Sequence, residues 1–596
     1  MTAYFAPTRD MQFVINELAG LSEVAALPVF AAQDIGPELV EAVLEEAAKL
    51  AAEVLAPLNH VGDVQGARLS PEGVIPVDGF TEAYRKFIEG GWNGVGCHVK
   101  FGGQGLPELI STATQEMWNS ANMSFALCPL LNAGAIEAIG RAGSEEQQAL
   151  YLPKMISGEW TGTMNLTESQ AGSDLSAVRT RAVPHGDHYR IFGQKIFITW
   201  GEHDMTENTI HLVLARTPDA PEGVKGISLF IVPKFLVNPE GSLGARNDVH
   251  AVSIEHKLGI HASPTCVMAF GDRDGAVGYL VGEENKGLAY MFIMMNEARF
   301  KVGVQGVAIG ERAYQAAREY AKDRVQGRPI GVKSGDRVTI IHHPDVRRML
   351  MSMKAQNEAM RALAYVVAKH MDLARHHPDP AVRESHQARV DLLIPVVKGW
   401  CTETGIEVAS LGVQVHGGMG YIEETGACQH LRDSRIATIY EGTTAIQAAD
   451  LAGRKLSMDR GAAMRALLAE IEATASDLAQ AAGDDLATIR EALRESARAL
   501  AEATDWMLAS RDANAAMAVS VDYMMLAGIV CGGWQMARAA RVAQNKLSTG
   551  EDIAFHEAKL VTARYYAEHV LPKSGALLRS VRNGGVSILA LTEEQF

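Results

Sequence analysis

Apolar positions Leu39, Val43, Ala47, Leu50, Ala51 and Leu55 recur at helical spacing from Glu38 to Leu58, and the pattern predicts a helix ending near Pro57. Further helical runs are expected around 80–90, 107–142 and 144–157, the last two separated by Gly143-Ser144 as stop and N-cap, so that the chain up to about 160 reads as all-α. The period then shortens. Tyr189–Ile198, Ile210–Ala215 and Ile227–Val232 are short β-rich runs broken by Gly, Pro and Asp. After Gly287 a long helix can run to about Asp323, and a second can start just after Pro344. A third follows Pro380 and reaches Gly417-Gly418, with Pro395 as a kink or restart. Beyond Arg454 the chain is rich in Ala, Leu, Arg and Glu, with candidate helices near 459–481, 484–510, 512–544 and 553–571. The predicted architecture is mainly α with a small β domain: an N-terminal extension (1–37), an α-helical domain (38–160), a middle β domain (161–280), an α-helical bundle (281–455) and an added C-terminal helical domain (456–596).

Length agrees with several packed units, since 596 residues exceed the roughly 250 to 300 at which one core stops growing. Apolar residues make up 47% and charged residues 21%, a balance that supports a folded globular chain and excludes disorder. A net charge of -16 without a basic stripe excludes nucleic acid as a partner. Six cysteines without C-x-x-C spacing suggest buried thiols in a reducing compartment, and no metal site is expected. The N-terminus, Met1-Thr2-Ala3-Tyr4-Phe5, lacks a basic region followed by an apolar run, so a cytoplasmic location is expected. The apolar stretch Tyr523–Trp534 falls short of the ~20 residues a bilayer requires and reads as a buried helix, with no membrane span expected. Gly528-x-x-x-Gly532 within it permits close helix approach, for which core packing is the simpler reading.

Candidate chemistry begins at Thr167-Glu168-Ser169-Gln170-Ala171-Gly172-Ser173-Asp174. By itself this is a polar connecting loop, or a loop whose N–H groups and hydroxyls bind a flavin edge or a phosphate. Five more segments follow in order: Phe197-Ile198-Thr199-Trp200-Gly201, Lys257–Thr265, Arg324–Ile330, Gln414–Tyr421 and Arg432–Thr443. Together the six resemble the acyl-CoA dehydrogenase family over about 40–455. The segment from Tyr4 to Phe13 and the helices after Arg454 resemble its larger bacterial branch, which includes long-chain and 3-methylmercaptopropionyl-CoA dehydrogenases.

The resemblance implies FAD as cofactor and α,β-dehydrogenation of an acyl-CoA thioester to the trans-2-enoyl-CoA. Glu441 would remove the α proton, flavin N5 would take the β hydride, and electrons would pass to electron-transfer flavoprotein. Leu166 and Thr167 would address the flavin ring, and Ser173 would lie near the FAD pyrophosphate and the CoA. Phe197 and Thr199 would cover the isoalloxazine and bond its N5 edge. Arg324 and the Gln414, Gly417 and Gly418 backbone would reach the FAD of a neighbouring subunit, which implies at least a dimer, and Thr443 would join the FAD contacts. Arg299 and Gly442 would meet the substrate. Ala445 departs from the family, which often has a polar residue there, and the loop from Arg324 to His342-His343 is longer than in short-chain members. An acyl-CoA oxidase using dioxygen and a non-catalytic FAD-binding member are the alternatives. The acyl chain length is left open.

Overall fold

A computed structural model describes residues 3–31, 33–480 and 483–596. Met1 and Thr2 therefore lie outside the described residues, as does Ala481, the expected end of the helix observed as Ala462–Leu478. The chain divides into two compact units. One comprises Met1–Ala48, Pro107–Ser120 and Arg299–Phe596, and the other Lys49–Leu106 and Ala121–Ala298. Compactness thus cuts across chain order, and the helices beyond 456 share a unit with the bundle.

The second unit is built on an eight-stranded sheet. Its strands run in the order Val249–Ile254, Thr265–Phe270, His188–Thr199, Ala276–Leu280, Ser228–Pro233, Asn208–Ala215, Trp160–Asn165, and Arg181–His185 pairs with His188–Thr199. Asn208–Ala215 and Trp160–Asn165 are parallel and buried along their whole lengths, as strands covered on both faces should be. Ile191, Ile198, Val213, Phe230, Met268 and Phe270 form a buried core on the sheet. The twelve-residue strand His188–Thr199 lies inside the sheet and carries Phe197 and Thr199 at its end.

Local expectations hold where the signal is local. Ser144 caps Glu145–Ser157 with a capping box to Gln147, because its hydroxyl and the Gln147 side chain each satisfy an orphan backbone N–H. The long helices are Gly287–Asp323, Pro344–His376 and Pro380–His416, the last continuing through Pro395. Three expectations differ from the structure. The region before 160 is not all-α, since Arg68–Ser70 and Gly73–Ile75 form a hairpin. Nor does the first helical stretch end at Pro57: Pro37–Leu50 passes into the wider turn Ala51–Leu55, and Pro57 opens a further helix to Gln65. A proline at a first helical position gives up an N–H that would be orphaned anyway. The stretch read as 512–544 is Ala513–Ala518 followed by Ser520–Thr549, and Lys573–Asn583 is an additional helix. Glu108–Ala142 is long and apolar enough to cross a bilayer, yet 83% of its most apolar window is buried, and its backbone leaves helical geometry at Asn122.

The C-terminal helices join the bundle through Gly528 and Gly532. A Cβ at Gly528 would lie 2.2 Å from Trp400 Cγ, and one at Gly532 would lie 2.7 Å from both Trp400 and the Tyr566 hydroxyl. These glycines pack in the core, with Ser520–Thr549 laid against the indole on Pro380–His416. Gly528→Val is expected to cost about 2–3 kcal/mol, because Trp400 is fully buried and has nowhere to move. The midpoint of denaturant unfolding measures it.

A buried ionic cluster ties the N-terminal segment into the same unit. Arg361 donates to Glu116 at 2.6 and 2.9 Å, to Glu311 at 2.9 Å and to Asp10 at 2.6 Å, and the Tyr365 hydroxyl donates to Glu116 at 2.7 Å. Lys559 bonds Asp10 and donates to Glu358 at 2.9 Å. Burial works against the Asp10 carboxylate, but Lys559 and Arg361 hold its pKa well below the usual range.

Candidate active site

Within the first unit the Arg432–Thr443 segment ends in a tight turn. Arg435–Thr438 is a short 3₁₀ turn, and Thr443 starts the helix Thr444–Ala449 by accepting from the Ile446 N–H at 3.3 Å. Between them Glu441 and Gly442 have left-handed backbones, with φ of 54° and 85°. For glutamate this conformation costs on the order of 1 kcal/mol and persists only where surrounding contacts over-determine it. Lys398 Nζ donates to the Gly442 carbonyl at 2.6 Å, and Gln447 Nε2 donates to the Glu441 and Gly442 carbonyls at 3.2 and 3.3 Å. A side chain at Gly442 would place its Cβ 2.6 Å from Gln447 Nε2, so the position needs glycine for room as well as for φ.

Arg299 approaches from Gly287–Asp323. It is buried, pairs with Asp450 at 3.7 Å, and its guanidinium lies 3.7 Å from where a Gly442 Cβ would sit. The Tyr440 hydroxyl donates to Gln305, whose amide donates to Asn119 at 3.0 Å. This polar chain runs from Tyr440, next to Glu441 in the chain, into the helix that starts at Glu108. Burial pushes the Glu441 carboxyl up to about 7, with Arg299 and Lys398 pulling the other way. The same burial pushes the Lys398 ammonium down to about 8 against the field of Glu441. A carboxyl that titrates near neutrality, between two buried cations in a strained turn, has the properties of a general base.

In the second unit the loop after Trp160–Asn165 is anchored from beneath. Burial disfavours the Glu168 carboxylate. Lys195 at 2.8 Å, the Thr180 hydroxyl at 2.6 Å and the Arg179 N–H at 2.8 Å outweigh this and hold it near 2. Lys195 also donates to the Leu166 carbonyl at 2.9 Å, and the Ile196 N–H donates to Thr167 O at 2.9 Å, so Thr167 lies beside the end of His188–Thr199. Ser173 is exposed at the loop tip. Phe197 has a φ of 59° and is 59% exposed, an unusual fate for a strand phenylalanine. Trp200 turns inward instead and donates from Nε1 to Ser124 O at 3.1 Å. The result is an open aromatic plane flanked by Thr167 and Thr199.

Arg324, Gln414, Gly417 and Gly418 form a third, solvent-exposed group in the first unit. Tyr320 stacks on His416 with ring centroids 4.4 Å apart, which brings the ends of Gly287–Asp323 and Pro380–His416 together. Gln414 is sixteen residues along the helix from Lys398, or about 24 Å at 1.5 Å per residue, so this group stands apart from the Glu441 turn in the same chain. The structure therefore gathers Arg299, Glu441, Gly442 and Thr443. In the second unit it brings Leu166 and Thr167 beside the strand end that carries Phe197 and Thr199, while Ser173 lies exposed in the loop that follows Thr167. Lys398 and Gln447 were not singled out from sequence. The available signal for Lys398 is a lone charge inside Leu392-Leu393-Ile394-Pro395-Val396-Val397-Lys398-Gly399-Trp400; nothing comparable marks Gln447.

Family models match in the same order along the chain: acyl-CoA dehydrogenase, N-terminal domain, at 37–159; middle domain at 163–273; C-terminal domain at 285–456; and acetyl-CoA dehydrogenase C-terminal like at 467–592. The chain is 50% identical over 98% of its length to the 3-methylmercaptopropionyl-CoA dehydrogenase of Ruegeria pomeroyi, of which it covers 99%. It is 35% identical over its whole length to a butyryl-CoA dehydrogenase of Syntrophomonas wolfei, again covering 99% of that protein. The fold matches an acyl-CoA dehydrogenase of Bacillus anthracis complexed with FAD, with a TM-score of 0.72 at 21% identity over 92% of this chain and 88% of that one.

Proposed function

The chain belongs to the acyl-CoA dehydrogenase family, and from that premise we propose that it converts an acyl-CoA thioester to the trans-2-enoyl-CoA with FAD as cofactor, Glu441 as the base, and electron-transfer flavoprotein as the acceptor. The observation that carries this reading is the left-handed Glu441-Gly442 turn, gripped by Lys398 and Gln447, whose glutamate carboxyl burial pushes up to about 7 against the fields of Arg299 and Lys398. An ordinary glutamate near ~4.3 is too weak a base toward a C–H bond, whereas a desolvated one is matched to the task.

The residues present fit a flavin. Its flat ring system needs a plane to lie on and hydroxyls along an edge, and exposed Phe197 with Thr167 and Thr199 offers both. Ser173 at the loop tip would meet a phosphate. Bound FAD would supply the acceptor for the β hydride. The chain's part is to bind and desolvate the thioester, to take the α proton onto a Glu441 carboxylate oxygen, and to offer the Glu441 backbone N–H to the thioester oxygen. Arg324 and the Gln414–Gly418 segment, exposed and remote from the base, would serve the FAD of a second copy, making a homodimer the working unit.

The test is anaerobic titration of the yellow holoprotein with acyl-CoAs from short to long, with 3-methylmercaptopropionyl-CoA among the first in view of the Ruegeria pomeroyi relative. At least one should bleach the flavin; failure of every thioester would overturn the reading, and hydrogen peroxide on aerobic turnover would reassign the enzyme as an oxidase. A pH prediction goes with it. Glu441 must be ionised to act, so the second-order rate of bleaching should rise with pH through about 7 and level off above it. A profile flat from pH 5.5 to 8.5 would remove Glu441 from the rate-determining proton transfer.

A further inference from the structure

We propose that Lys398, together with Gln447, is a positioning residue for the base: its ammonium holds the Gly442 carbonyl and faces the Glu441 carboxyl, fixing the turn and keeping the carboxylate ionised. The inference rests on the reading of Glu441 as base and adds to it a group from a separate helix.

The geometry is specific. Lys398 is fully buried halfway along Pro380–His416, in a run that is otherwise apolar from Leu392 to Val397 and continues as Gly399, Trp400 and Cys401. An ammonium in such a place is strongly disfavoured unless something compensates it. Its Nζ donates at 2.6 Å to the carbonyl of the residue directly after the base. Gln447, buried on the following helix, holds the Glu441 and Gly442 carbonyls from another direction. Two side chains from two helices thus grip two consecutive carbonyls whose residues both have positive φ. The grip aims the Glu441 side chain. A neutral donor would suffice for that alone.

The charge has its own effect. Glu441 is faced by Lys398, by Arg299 from Gly287–Asp323 and by the Tyr440 phenol from its own segment, while Lys398 is faced by Glu441, Arg299 and Glu403. Arg299 in turn shares its field with Asp450 and Arg454. Burial disfavours the carboxylate and the two cations restore it, so loss of either cation leaves the base protonated to higher pH. Arg299 shares its charge with Asp450; Lys398 bonds the Gly442 carbonyl, and its field acts on the Glu441 carboxyl.

Rapid anaerobic reduction by acyl-CoA from pH 5.5 to 9 tests this on holoprotein of the wild type, Lys398→Met and Lys398→Gln. With Met, the acid limb should move to higher pH by about one unit or more, a roughly tenfold slower reduction on that limb. The plateau should fall as well, because the grip is lost. With Gln, which keeps a donor for Gly442 O without the charge, the limb should move as far while the plateau falls less. Wild-type bleaching with coincident acid limbs in all three proteins, FAD being retained, would overturn the inference and leave Glu441 as base untouched. Failure of both variants to give folded holoprotein would also overturn it, in favour of a purely structural lysine. A wild type that no thioester bleaches would instead bring down the reading of Glu441, and this inference with it.

Discussion

Glu441→Gln is expected to leave a yellow, folded holoprotein whose flavin acyl-CoA no longer bleaches, with the reductive rate down by a hundred- to ten-thousand-fold. Gln has the shape of Glu and keeps the left-handed turn, since Lys398 and Gln447 hold the backbone carbonyls rather than the carboxyl. What disappears is the proton acceptor. The substitution also removes a charge that is costly to bury, so the variant should be at least as stable as the parent near pH 8, where the wild-type carboxyl, titrating at about 7, is ionised. Stopped-flow bleaching together with a denaturant curve reads both effects; full reductive activity in the variant would dismiss Glu441.

Arg361→Leu should give the largest loss of stability. The guanidinium is 1% exposed and satisfies Glu116, Glu311 and Asp10 together. Removing it strands Glu116 and Glu311 inside the bundle, and one partner lost from a buried ionic group costs about 3–5 kcal/mol. The penalty should shrink as pH falls toward 5, because burial already raises the Glu116 pKa and the stranded Glu116 carboxyl can protonate. Adding Glu116→Gln should recover part of the loss, a coupling expected of groups in direct contact. The urea midpoint at pH 8 and at pH 5, for single and double variants, measures it. Equal penalties at the two pH values would mean that lost packing dominates.

The fold was legible where a signal is local. Gly287–Asp323 and Pro344–His376 could be bounded by their prolines, glycines and apolar period, and Ser144 could be named a cap from the pair Gly143-Ser144. The Arg68–Ile75 hairpin was not, because three-residue strands show no alternation long enough to stand out from a helical neighbourhood. Pro57 misled for a related reason: the same proline ends one helix or begins the next, and only the backbone on either side decides which.

The sequence by itself determined the family and the order of domains, and it singled out Glu441 as the candidate base, since all three readings reside in residue types at fixed spacing. Tertiary structure decided how that glutamate is held. Lys398 lies 44 residues from the carbonyl it binds, and the Arg361 cluster joins positions 245 and 351 residues apart. No period encodes such partners. Burial and Coulomb fields depend on which atoms surround a group in space. The Glu441 carboxyl, an ordinary side chain in the linear sequence, is pushed up to about 7 by its burial in the folded chain, against the opposing fields of Arg299 and Lys398.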